Sequence, residues 1–412
     1  MGRHRAETSD THLRRVQVPG RRSRRRWPVA ALTTVVLVVG GWFGWGWLHA
    51  RIAEAPAASV VSCPAGDETI QVVVAPSIAD AIGRAAAAFT DSRPVVTDHC
   101  VRVNVSAVDP QTVLTALQAG WNTGQLGPRP QAWIADSTLW TSRLAAVSPG
   151  TLGDTPQSLA TSPVVLAMPP DAAKAVMSTV PPTFADLPAL IAKANGWATY
   201  NEPAWGQFTL ALPDPAANPA STMAVTAMLD PATPQGQPPI TAALLGSGQV
   251  KQNLDNLAVG QPSGSTQQAL VTLGKSDGIQ GAPFSAVPVL EVDLYERNLG
   301  ADGAAKPANV LDEVRLTGPT PFADFPYTPL AGNGLTSDQV AAAQGFRDFL
   351  RTAAEQTQLA RAGLRVAGGT LAHPDPSPGM DWGSASQGPT PTDVTSYQQL
   401  VAAWAAASQP AK

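Results

Sequence analysis

The sequence predicts an α/β protein behind one N-terminal transmembrane helix. Short β-branched runs alternate with helix-period segments between Thr69 and Ala135, the order expected of a parallel sheet covered by helices. Thirty-nine prolines, roughly twice ordinary usage, oppose a helical bundle. Twenty-two residues from Trp27 to Leu48 carry no charge, and at about 1.5 Å per residue they match a hydrocarbon core of about 30 Å.

The N-terminus sets the direction. Residues 1–27 hold nine arginines against Glu7 and Asp10, and Arg21, Arg22, Arg24, Arg25 and Arg26 stand directly before the apolar run. Positive charge stays cytoplasmic, so the expected order is a cytoplasmic segment (1–27), a span (28–48) in the lipid bilayer, a linker (49–62) and an extracellular or periplasmic ectodomain. Trp42, Trp45 and Trp47 suit the outer interface. A cleaved signal peptide is the alternative, with small-x-small sites at Ala53-Glu54-Ala55 and Ala55-Pro56-Ala57. Beyond residue 27 the chain has 18 basic and 29 acidic residues. No nucleic-acid partner is expected, because phosphate neutralisation needs a basic surface.

Each element then has a local cause. Strand Thr69–Ala75 precedes a helix with Ile78, Ile82, Ala85 and Phe89 on one face. Strand Val101–Ala107 leads to Asp109-Pro110, an N-cap with Pro at the first helical position, and Gly120 closes that helix. Gln131–Ala135 reads as the third strand and Ser162–Pro169 as a longer buried one. A helix follows at Phe184–Ala194, then a strand at Gln207–Leu212. Asn218-Pro219 caps a helix, and another is expected near Gly248–Leu257. A further region opens with Gly281–Asp293. Thr336/Gln339 and Thr352/Glu355 are capping boxes before two helices. Residues 366–392, rich in Gly, Pro and Ser, read as a linker, and Tyr397, Leu400, Val401 and Trp404 mark an amphipathic helix within 393–412.

The two cysteines, Cys63 and Cys100, both lie on the outward side and each precedes a strand. An even count in an exported domain favours a disulfide over two free thiols. A metal site is poorly supplied, since zinc needs four ligands and only His99 lies nearby.

The ordered segments TIQVVVAPSIADAIGRAAAAF, CVRVNVSAVDP, QAWIADSTLWTSRL, TSPVVLAMP, WGQFTLALPDPAANPAS, GAPFSAVPVLEVDLYERN and FPYTPLAG together resemble the extracellular solute-binding proteins of the periplasmic binding protein type II class. That resemblance implies a two-lobed fold with a ligand cleft, lobe I at 63–169 and 279–365, lobe II at 170–278. A branch of this class carries a following von Willebrand factor A-type domain that binds a divalent metal through D-x-S-x-S. No D-x-S-x-S occurs here, so that domain's adhesion function does not transfer.

Ligands of doubly wound sheets sit beyond the carboxyl ends of strands. This nominates Ser77, Asp136, Ser137, Ser162, Asn218, Ser221 and Ser285 as ligand contacts. Each has a structural alternative, as helix cap or loop residue. Trp133, Trp140 and Trp205 could stack on a sugar or simply pack in the core.

Catalysis is poorly supplied. Past the membrane edge only His99 and His373 occur, and there is no G-x-S-x-G, Ser-x-x-Lys, P-loop or H-E-x-x-H. No cofactor or catalytic residue is expected. Two functions remain open: a membrane-tethered binder of a small polar ligand, able to feed a transporter or another membrane protein, and a cell-envelope scaffold that kept the fold and lost the ligand.

Overall fold

The computed structural model describes residues 62–229, 240–259, 261–332, 334–366, 374–387 and 393–409. The expected span at 28–48 lies outside them. Among the described residues, no helix is long and apolar enough to cross a membrane.

The first five strands are β1 (Asp67–Val74), β2 (Val95–Val96), β3 (His99–Ala107), β4 (Ala132–Ile134) and β5 (Gln157–Ser158). Those that follow are β6 (Ser162–Met168), β7 (Val287–Leu290), β8 (Asp312–Val314), β9 (Pro319–Thr320), β10 (Phe322–Ala323), β11 (Pro326–Pro329) and β12 (Ser386–Gln387). Strand β1 is the centre of the first sheet because its DETIQVVV run can bury both faces. Ile70, Val72 and Val74 enter one core, and Val73 enters another with Trp133, Val113 and Leu144, as the two-residue period requires. The sheet order is β2-β3-β1-β4-β11-β5, with β3 and β4 parallel to β1 and β11 antiparallel to β4. Helix α1 (Ala79–Asp91) follows β1, and α2 (Pro110–Ala119) follows β3. Asp109 accepts from the Gln111 and Thr112 amides to start α2, and Gly120, at φ 94°, ends it in the left-handed conformation.

A second sheet is built around β6, flanked by β10, β7 and β8, all antiparallel to it. All seven β6 residues are buried, so this strand needs partners on both edges and cover on both faces. Ser162–Met168 and Val287–Leu290 belong to the second sheet, and the chain passes between sheets at 159–161 and at 324–325. These two passages run side by side. The Leu159 amide donates to the Phe325 carbonyl at 3.2 Å and the Val164 amide to the Pro321 carbonyl at 2.9 Å. Buried Phe325 takes a φ of 32°, a region a bulky residue occupies only when its surroundings hold it there.

Arg365 stitches the passage. It exchanges both backbone hydrogen bonds with Thr161, at 2.6 and 2.8 Å. Its guanidinium grips Glu291 with two bonds of 2.8 and 2.5 Å, and Glu291 is fully buried. Glu313 lies against Glu291, and burial raises both carboxyls, opposed by Arg365 and Arg315.

The segment expected to be a linker is packed where it is described. The Asp381 and Trp382 amides donate to Glu313, Arg365 donates to the Gly383 carbonyl, and β12 pairs with β9. Its Trp and backbone groups find partners that composition alone does not reveal.

Cys63 and Cys100 form a disulfide, with Cα atoms 5.4 Å apart and a sequence separation of 37. Reduction, or Cys63→Ala with Cys100→Ala, is expected to lower stability by about 4 kcal/mol in the chain-entropy account; urea denaturation with and without reductant measures it. Arg365→Met strands a buried carboxyl and is expected to cost roughly 3–5 kcal/mol, most of it recovered when Glu291→Leu is added. Denaturation midpoints of the single and double variants check this.

Candidate functional site

Two parallel strands of the first sheet, β1 and β3, end at the same edge. There the turn Pro76–Ile78 and Ala107 face helix α6 (Thr266–Leu273) and helix α7 (Glu291–Leu299) from the second sheet's side. Between them lies a cavity of about 480 Å³, lined among others by Ser77, Asp80, Gln267, Asp293, Glu296 and Asp302. A larger groove of about 780 Å³ runs along α2 and Thr123–Leu126 to Ala217. It flanks helices rather than closing on strand ends, and the Asp109 carboxylate in it is engaged as a cap. The smaller cavity, held between two sheets at strand carboxyl ends, is the better site.

Its lining is one-sided: four carboxyl groups and no Lys or Arg. Asp302 pairs with the buried Arg297 at 2.7 Å, and Arg84 acts on Glu296 through space. Asp293 and Glu296 stand three residues apart on α7, which puts them on neighbouring positions of one helix face. Both are half-buried, retaining some surface toward the cavity. Burial raises Asp293 to about 6, against the pull of a hydrogen bond from Ser77. Burial also raises Glu296, to about 9, with Asp293 and Asp80 adding repulsion and Arg84 opposing it.

Of the seven nominated residues, Ser77 lines this cavity. The polar atoms of five others are engaged elsewhere. Ser162 is fully buried and its Oγ accepts from the Val292 amide at 3.1 Å, so it fixes the start of α7. Ser285 Oγ accepts from Thr209 N and Trp197 Nε1. Asn218 bonds the Asp214 and Gly264 carbonyls and the Thr266 amide. Ser137 caps α3 (Thr138–Val147) through the Leu139 amide. Asp136, buried, accepts from Trp140 Nε1 at 2.7 Å. Burial lifts its carboxyl to about 7, with Asp293 and Asp109 adding repulsion. Ser221 is fully buried in α4 (Pro219–Leu229), and its Oγ has no hydrogen-bond partner among the described residues. Trp133 and Trp140 are core residues, and Trp205 packs edge-on against Trp197 at 4.9 Å.

The residues missed were Asp293 and Glu296. The available signal was their i, i+3 spacing directly after an apolar run.

A model of the bacterial extracellular solute-binding protein family matches residues 70–365. The chain belongs to that family. Among the described residues, its two sheets joined by two passages are the α/β two-lobed architecture of periplasmic solute-binding proteins. Two uncharacterized proteins of Mycobacterium tuberculosis, MT1884 and Rv1836c, are each 30% identical over 348 residues, 84% of this chain and 50% of theirs. The chain thus spans about half the length of these curated relatives. Among solved structures, a periplasmic thiamin binding protein matches with a TM-score of 0.55 at 12% identity, covering 84% of this chain and 97% of that one. Iron-bound HitA from Pseudomonas aeruginosa matches at 0.54 and 13%, covering 83% and 99%. AfuA from Actinobacillus pleuropneumoniae, with fructose-6-phosphate bound, matches at 0.51 and 14%, covering 83% and 98%. These likenesses show the fold. The family is one of extracellular solute-binding proteins.

The raised carboxyls make a pH prediction. Between the ordinary carboxylate range and the raised folded values, the folded solute-binding protein holds more protons than the unfolded chain. Its stability then falls as pH rises. Thermal melting of the ligand-free protein is expected to decline from about pH 5 to pH 9, and Glu296→Gln to flatten part of that slope. Melting curves across this range decide it.

Proposed function

We propose that this chain captures a small cationic organic solute in the cavity between its two sheets and delivers it to a membrane transporter. The observation that carries the reading is the lining itself: Ser77 from one sheet's edge opposite Asp293 and Glu296 from the other's, with no basic residue among them. Carboxylates held in a partly closed, low-dielectric space are poorly solvated and gain most from a cation. An amine or quaternary nitrogen supplies that charge, and Gln267 and Ser77 suit its hydroxyl or carbonyl groups. Among the described residues, no group of three or more His, Cys, Asp or Glu is placed to hold a metal ion, which favours an organic cation over a bare one. A tether through residues 28–48 would keep the captured solute near its transporter.

The test is a thermal-shift panel on the full chain in detergent, comparing polyamines, choline and thiamine with sugars and oxyanions. A cation present at a hundred times its Kd is expected to raise the melting temperature by roughly 5 °C. Asp293→Asn and Glu296→Gln should each weaken that binding about tenfold or more. Stabilisation by anions or neutral sugars alone would overturn the cationic assignment.

A further inference from the structure

The C-terminal helix α10 (Val394–Ala407) lies beyond the 70–365 stretch that matches the family. Its apolar face is covered: Tyr397, Leu400 and Trp404 are buried, and Leu400 and Trp404 join the main core. The helix packs on α5 (Gly248–Ala258), on Ala242–Leu245 and on α3. The first two belong to the chain that lies between the two passages, on the second sheet's side. So does Ala216, whose carbonyl accepts from Tyr397 Oη at 3.0 Å. The described segment upstream, 374–387, is moored there as well. Asn298 donates to the Pro378 carbonyl, and Trp382 packs edge-on to Tyr295 at 5.2 Å.

Contact with the first lobe differs in kind. It runs through α3, where the Arg143 guanidinium sits 4.8 Å from the Trp140 ring and 4.6 Å from the Tyr397 ring. Arg143 Nη1 is buried without a hydrogen-bond partner among the described residues. Trp140 in turn donates to Asp136, two residues past the end of β4. One side of α10 is thus anchored by core packing. The other is held by the Arg143 cation stacked on two rings that themselves meet at 6.3 Å, an attachment of modest strength.

We infer that α10 is a clasp: it rides with the second lobe and holds the first through the Trp140–Arg143–Tyr397 stack, so that the lobes part by releasing that stack. This rests on the reading of the cavity as a site between lobes that move. The two passages at 159–161 and 324–325 allow such bending, and the clasp sets how often it occurs.

Hydrogen exchange of the full-length, ligand-free protein tests it, with Arg143→Ala and Tyr397→Leu against the parent. Amides of 138–147 and 394–407 are expected to exchange about five- to tenfold faster in both variants, while β1 and β6 keep the parent's rates. Spin labels at Asp91→Cys and Lys193→Cys should report a broader distance distribution in Arg143→Ala. Unchanged exchange and distances would overturn the clasp. A uniform acceleration through β1 and β6 would also overturn it, since α10 would then only support the fold. No solute enters the measurement, so a failed cation panel leaves this result intact, and the reverse holds too.

Discussion

The fold depends on the doubled passage between its sheets. One passage would leave two lobes joined like beads; two, side by side and hydrogen-bonded through Leu159–Phe325 and Val164–Pro321, leave bending as the remaining freedom. Thr161 and Arg365 add a third segment to that seam. Beneath it, Arg365 and Arg315 face the buried Glu291 and Glu313. A buried charge without its partner is strongly destabilising, so this cluster fixes where the seam lies. Ser162 ties the same place to the first turn of α7, the helix that presents Asp293 and Glu296. Seam and site therefore share a support.

The cavity and the clasp stand in a related way. Asp136 lies within electrostatic reach of Asp293, and its side chain holds Trp140, which stacks on Arg143.

Much of the first sheet was legible in the sequence because its causes are local. The TIQVVVA run, the Asp109-Pro110 start and the Gly120 stop each act within a few residues, and all three hold. Thr336 and Thr352 accept from the Gln339 and Glu355 amides as their spacing implies. The site was less legible because it is made by distant pairs. Ser162 meets Val292 across 130 residues and Ser285 meets Thr209 across 76. A serine at a strand end reads the same whether it faces a ligand or a neighbouring amide. The expected region Gly281–Asp293 ends inside the helix that carries Glu296. The periodicity of Tyr397, Leu400 and Trp404 revealed a face but not what covers it.

The disulfide also decides how the domain responds to force. Residue 62 enters beside Cys63, which is bonded to Cys100 opposite Asp67 at the amino end of β1. Tension arriving along the chain is divided at once between β1 and β3, two adjacent parallel strands held along eight residue pairs. Such a pull loads the ladder in shear at the sheet end far from the cavity.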